Sequence, residues 1–138
     1  MTNEEIGNRA NASGRNAEER IENFLIREGK TYKRAKTGQK QIDFIINPNS
    51  PDTIYADSKS HNVRGTCDEK IPHCSWKYAR QNDTDTIYIV RGECDFRPEI
   101  YEQLEDQRKL MGITTIVMTE KEFYMMLLEV EDVEGDFF

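Results

Sequence analysis

Apolar residues recur along this chain at two spacings, near 3.6 and near 2, and the order of the two predicts its elements. A helix is expected to begin near Asn16, because Asn16-Ala17-Glu18-Glu19 has the spacing of a capping box, with Glu19 reaching back to the Asn16 amide. Ala17, Ile21, Phe24 and Leu25 then form one apolar stripe, and Gly29 ends the helix. Three strands are expected next: a short one over 31–36, QIDFIIN over 41–47 and TIYADSKS over 53–60. Pro48-Asn49-Ser50-Pro51-Asp52 supplies a strong turn between the last two. A polar loop from His61 to Lys70 leads to a helix over 72–81, with Pro72 in its first turn. Thr86 to Val90 reads as a buried strand, Arg97 to Met111 as a helix stopped by Gly112, and Ile113 to Met118 as a second buried strand. An amphipathic helix over 120–131 closes the order, with Phe123, Leu127 and Val130 inward. The predicted fold is α/β: a mixed sheet flanked by helices, with an αβββαβ core and a C-terminal helix.

Composition narrows the class without naming a function. At 138 residues, with 36% apolar and 33% charged side chains, the chain suits one domain with one sizeable core. Residues 1–12 are expected to be loosely ordered and 132–138 to form an acidic tail. No apolar run approaches the roughly 20 residues that span a membrane, so no membrane partner is expected. The polar N-terminal segment lacks the apolar centre of a secretion signal. Three cysteines (Cys67, Cys74, Cys94) give no disulfide framework, which points to a reduced cytoplasmic setting. Cys67, His73, Cys74 and Cys94 also lack zinc-site spacing. No phosphate-binding glycine loop or nucleophile elbow occurs, so neither a nucleotide cofactor nor serine hydrolysis is expected.

Net charge is −7, which argues against a nucleic-acid partner until its distribution is read. Seven acids against one base after Met118 carry −6 of it, so the first 118 residues sum to −1. Arg27 to Gln41 holds six bases (Arg27, Lys30, Lys33, Arg34, Lys36, Lys40) and one acid. That patch admits two readings, a solvated basic loop or a surface that contacts phosphates.

The chemistry concentrates on the second hairpin. If Asn47 pairs with Thr53, Asp43 stands directly opposite Asp57, with Cβ atoms about 4.5–5.5 Å apart, and Lys59 shares the face of Asp57. Opposed carboxylates among Ile42, Phe44, Ile45 and Ile54 are costly unless a cation joins them. Lys59 can serve as that cation in an ion-pair ladder, or a divalent ion can bind both. An all-oxygen site suits Mg²⁺ or Mn²⁺. Glu18 lies on the stripe of the first helix, where it is either a third acidic ligand or a side chain turned to water at the helix start.

Gly14-x-x-x-Glu18 on the first helix, Ile42-Asp43 and Asp57-Ser58-Lys59 together resemble the PD-(D/E)xK nuclease superfamily, whose fold is restriction-endonuclease-like. The resemblance spans roughly residues 13 to 118 and includes the αβββαβ order. Ile42 stands where the family often has proline. The resemblance implies a metal-dependent DNA endonuclease in which Asp43, Asp57, the Ser58 carbonyl and Glu18 hold Mg²⁺, with Mn²⁺ able to substitute. Lys59 is then the catalytic cation, and hydrolysis leaves 5′-phosphate ends. Gln41 and His61 share the face of Asp43 and Asp57 and are candidate auxiliary residues, or else ordinary strand and loop side chains. Gly65-Thr66-Cys67-Asp68-Glu69-Lys70 resembles a stretch of phage and restriction-type members, which suggests a phage homing or restriction-type enzyme. Lys33, Arg34, Lys36, Lys40, Arg64, Lys70, Lys77 and Arg80 are the candidate DNA contacts, whereas Trp76 reads better as core or interface. One site per chain implies a homodimer for cutting both strands of a duplex. A Holliday-junction resolvase and a non-cleaving DNA-binding module are the alternatives.

Overall fold

The computed structural model describes residues 17–35, 41–59 and 68–135. Helix α1 covers 17–27. Strands β1 (Tyr32–Arg34), β2 (Phe44–Ile46) and β3 (Ile54–Lys59) follow. A 3₁₀ turn at Asp68–Lys70 runs into α2 (Ile71–Gln81). Then come β4 (Thr86–Arg91), α3 (Pro98–Met111), β5 (Thr114–Thr119) and α4 (Glu120–Gly135). The expected capping pair at Asn16, residues 1–12 and the tail at 132–138 fall outside the described residues or side chains, as does the Val130 side chain.

The five strands form one sheet in chain order. β1, β2 and β3 pair antiparallel, and β3, β4 and β5 pair parallel. Strand β3 is thus the pivot between a meander and two helical crossovers. Phe44 and Ile46 of β2 and Ile54 and Ala56 of β3 pack with Ile21, Phe24 and Leu25 of α1 and Phe123 and Leu127 of α4. On the other face, Ile87 and Ile89 of β4 pack with Ile71, Tyr78 and Ala79 of α2 and Ile100 and Leu104 of α3. Helices cover both faces, which is why β4 reads as a continuous apolar run and not as an alternation.

The turn after β2 sets the register of the site. Asn47 and Asn49 take positive φ of 53° and 61°, a conformation asparagine tolerates. Thr53 Oγ1 lies 2.7 Å from the carbonyls of both Asn47 and Ser50, which closes the turn on itself. Phe44 then pairs with Ala56 and Ile46 with Ile54, the pairing expected from the sequence.

Several boundaries differ from expectation. β1 is limited to three residues, Asp43 lies in a bend before β2, and β3 starts at Ile54. Helix α4 continues to Gly135. Gly112, at φ 71°, adopts the left-handed conformation that stops α3 where the sequence indicated.

Candidate active site

Asp43 and Asp57 meet through the backbone as well as through charge. Asp57 Oδ1 accepts the Asp43 N–H at 3.1 Å, and Asp43 Oδ2 accepts the Ser58 N–H at 2.9 Å. Each carboxylate therefore clamps the opposite strand. Asp57 is 1% exposed. Its second oxygen, Oδ2, accepts no hydrogen bond of regular geometry, yet forms an ion pair with the Lys59 ammonium. Alternation along β3 puts Lys59 on the face of Asp57, as expected. The Lys59 side chain is 24% exposed, and its Nζ lies 5.9 Å from the centre of the Tyr78 ring of α2.

The electrostatics follow from burial plus two close negative groups. Burial and the adjacent Asp57 charge push the Asp43 carboxyl up to about 8, although the Ser58 N–H pulls the other way. Burial alone would lower the Lys59 ammonium, but the Asp57 carboxylate outweighs it and holds the amine above its ordinary value. Burial and the charge of Asp57 raise the Tyr78 phenol to about 12. Near neutral pH, then, the buried Asp57 holds the Lys59 ammonium, and the half-buried Asp43 retains a proton unless another cation replaces it. A buried Asp57 oxygen met only by the Lys59 ammonium, and an Asp43 carboxyl that needs a positive charge, are the features that fit a hard divalent cation on oxygen ligands.

Glu18 is placed differently from the third-ligand expectation. Its Oε2 pairs with Arg34 Nη2 at 3.2 Å, while Arg34 Nη1 meets Glu22 Oε1 at 2.8 Å. Tyr32 donates its hydroxyl to Glu22 Oε2 at 3.0 Å. Glu18 and Glu22 are one helical turn apart, and Arg34, on the α1 side of β1, reaches both. Glu18 still contributes to raising the Asp43 carboxyl. Among the described residues, no group of three or more His, Cys, Asp or Glu side chains is arranged to hold a metal ion.

The same ion pairs change the reading of the basic patch. Arg34, expected to face DNA, is committed to α1. Lys33, Lys70 and Arg80 are exposed, and Lys77 is half-buried. Arg80 lies over the Trp76 ring at 5.3 Å, and Trp76 packs against the α2–α3 core, in line with a core or interface residue. Gln41 is exposed beside Asp43. His61, Lys36, Lys40 and Arg64 lie outside the described residues.

Two side chains at the site escaped the sequence reading. Tyr78 shares the inward face of α2 with Ile71 and Ser75, a helical spacing visible in the sequence. Arg91 pairs in register with Lys59 across β3 and β4. Its Nη1 donates to the carbonyls of Gly92 and Glu93 at 2.9 and 3.3 Å, and its Nε lies 3.4 Å from Asp95.

No protein-family model matches the chain, and no curated protein sequence matches it. Among solved structures, restriction endonuclease FokI bound to DNA superposes with a TM-score of 0.50 at 18% identity. The match covers 81% of this chain and 23% of that one. The fold is therefore restriction-endonuclease-like. No described helix is long and apolar enough to cross a membrane.

Proposed function

We propose that the chain is a metal-dependent DNA endonuclease of the PD-(D/E)xK superfamily, with Asp43, Asp57 and Lys59 as its reaction centre. The observation that carries this reading is the clamp of two carboxylates with a paired lysine, Asp57 and Lys59 on the pivot strand of a restriction-endonuclease-like sheet and Asp43 just before its neighbour β2. Asp43 and Asp57 would hold Mg²⁺, or Mn²⁺ in its place, with the Ser58 carbonyl as a further donor and Glu18 acting through water. Bound there, the ion would lower the pKa of a coordinated water and neutralise charge on the scissile phosphate.

The chain's own groups divide the remaining work. Lys59, paired with Asp57 in the metal-free chain, acts as an ammonium by electrostatic stabilisation of the phosphoryl transition state. The ring of Tyr78 faces that ammonium and limits its freedom. Gln41 orients water at the Asp43 end. Lys33, Lys70, Lys77 and Arg80 contact phosphates along the strand. Attack on phosphorus then leaves 5′-phosphate ends, and a homodimer supplies the second cut of a duplex. The stretch Gly65 to Lys70 favours a homing or restriction-type enzyme.

One observation favours a second reading, a DNA-binding module that does not cut: Glu18 pairs with Arg34 instead of joining the two aspartates. Plasmid nicking in Mg²⁺ separates the two. Wild type is expected to nick, and Asp57→Ala and Lys59→Ala to lose at least about a hundredfold in rate. Equal nicking by all three proteins would exclude this centre, and no nicking by any would favour the non-cleaving module.

A further inference from the structure

The sheet ends on β1 at one side and on β5 at the other, and the two edges differ in kind. β1 is three residues long and bears Lys33 and Arg34, the short, charged form that discourages pairing with another strand. β5 (TTIVMT) runs six residues without a charge, a proline or a glycine, and all of them are half-buried. Its neighbour β4, paired on both sides, buries Ile87, Ile89 and Val90. β5 thus has the length and composition of an interior strand at an edge position.

The hydrogen-bond pattern fixes which of its backbone groups are open. Thr114 donates its N–H to the Asp85 carbonyl at 2.7 Å, so the even-numbered residues of β5 bond to β4. Thr115, Val117 and Thr119 therefore turn their N–H and C=O groups away from the sheet. The Thr119 N–H is taken by Glu122 Oε1 at 3.0 Å, and the Glu122 N–H returns to Thr119 Oγ1 at 3.1 Å, a capping box that closes this end of the edge. The N–H and C=O groups of Thr115 and Val117 have no partner among the described residues. Open groups of this kind on a strand are a template for one more strand.

We propose that this edge pairs with β5 of a second copy of the chain, antiparallel about a twofold axis. With Thr115 of one copy opposite Val117 of the other, every open group on both strands is used, in two reciprocal pairs of backbone hydrogen bonds. The axis then passes beside Ile116, whose own backbone bonds stay with β4. The open segment is its own complement in this register, which selects a second copy over an unrelated strand. No like charges are opposed, because β5 carries none. The ladder alone buries little area. Large apolar side chains exposed on the two helices that contact β5, Leu110 and Met111 of α3 and Met125 of α4, are available to the same interface. An axis normal to the sheet keeps both aspartate pairs on one face, with the two β3 strands five strand spacings, about 24 Å, apart. This gives the homodimer of the nuclease reading a surface, but the pairing itself does not depend on cleavage.

Sedimentation and amide hydrogen exchange of the full-length, metal-free protein test this. Wild type is expected to sediment as a dimer at micromolar concentration, with the Thr115 and Val117 amides protected and their protection rising with protein concentration. Val117→Pro removes an N–H that the single chain does not use, a place where an edge strand accepts proline, and is expected to weaken dimerisation by about tenfold or more. If that variant does not fold, exchange at the two wild-type amides decides alone. A monomeric wild type overturns the proposal. So does a dimer whose Thr115 and Val117 amides exchange as freely as open ones, or a folded Val117→Pro chain that dimerises as tightly as wild type. A monomer that nicks plasmid overturns the interface and leaves the nuclease reading intact. A dimer paired through β5 that does not nick overturns the nuclease reading and leaves the interface.

Discussion

Asp43, just before β2, and Asp57 of β3 each turn a carboxylate oxygen onto the opposite segment's backbone, with Asp57 Oδ1 accepting from the Asp43 N–H and Asp43 Oδ2 from the Ser58 N–H. The strand pair is thus held by the same two carboxylates that repel each other. One proton or one cation decides which effect wins.

Stability of the metal-free protein is expected to fall as pH rises. The Asp43 carboxyl is raised from 3.8 to about 8, so the folded chain binds this proton more tightly than the unfolded chain. Its contribution is full below pH about 4 and is lost between about 4 and about 8. Thermal melts of wild type and Asp43→Asn in chelator check this. The difference between the two should vary with pH by a few kcal/mol across that window. Parallel curves would contradict the raised carboxyl.

Removing the neighbouring charge should release Asp43. In Asp57→Asn the coulombic push disappears and burial remains, so the Asp43 carboxyl should titrate lower than in wild type, yet still above ordinary aspartate. Carbon-detected NMR titration of the side-chain carboxyls reads this. A value unchanged from wild type would mean that Asp57 does not act on Asp43.

Glu18 should matter less to cleavage than the aspartates. Its carboxylate is spent on Arg34, so Glu18→Gln is expected to slow nicking by no more than about tenfold, against a hundredfold or more for Asp57→Asn. The partly exposed pair should stabilise the fold only modestly, so Arg34→Met is expected to cost about 1 kcal/mol in urea unfolding. Equal kinetic losses for Glu18→Gln and Asp57→Asn would place Glu18 in the reaction centre.

The Ser75 and Thr115 hydroxyls join α2 to β5 inside the core, with Ser75 fully buried. Ser75→Ala alone leaves Thr115 without that partner and should cost about 1–3 kcal/mol, whereas Ser75→Ala with Thr115→Val should cost less than the two single changes added together. Additive losses in a double-mutant cycle would show that the two hydroxyls do not interact.

The sheet and the aspartate pair were legible because they depend on local rules. A short turn rich in asparagine and proline fixed the Asn47–Thr53 register, and period-2 alternation then put Asp43, Asp57 and Lys59 on one face. The fate of Glu18 was less accessible. Its position near the apolar stripe called for a polar or cationic partner, but whether that partner is a metal or Arg34 depends on how α1 crosses β1, a long-range relation that spacing does not encode. Arg34 was read as a DNA contact for the same reason, since charge counts along a segment do not tell which bases are already paired. Tyr78 carried a visible helical signal but no chemical motif, and only the approach of α2 to β3 gives it Lys59 as a neighbour.

The most direct measurement is calorimetric titration of the chelator-treated protein with Mn²⁺, in wild type and in Asp57→Asn. Saturable binding by wild type, lost or weakened at least tenfold in the variant, is the expected result. Equal binding by both, or none by wild type, would contradict a cation held between these two strands.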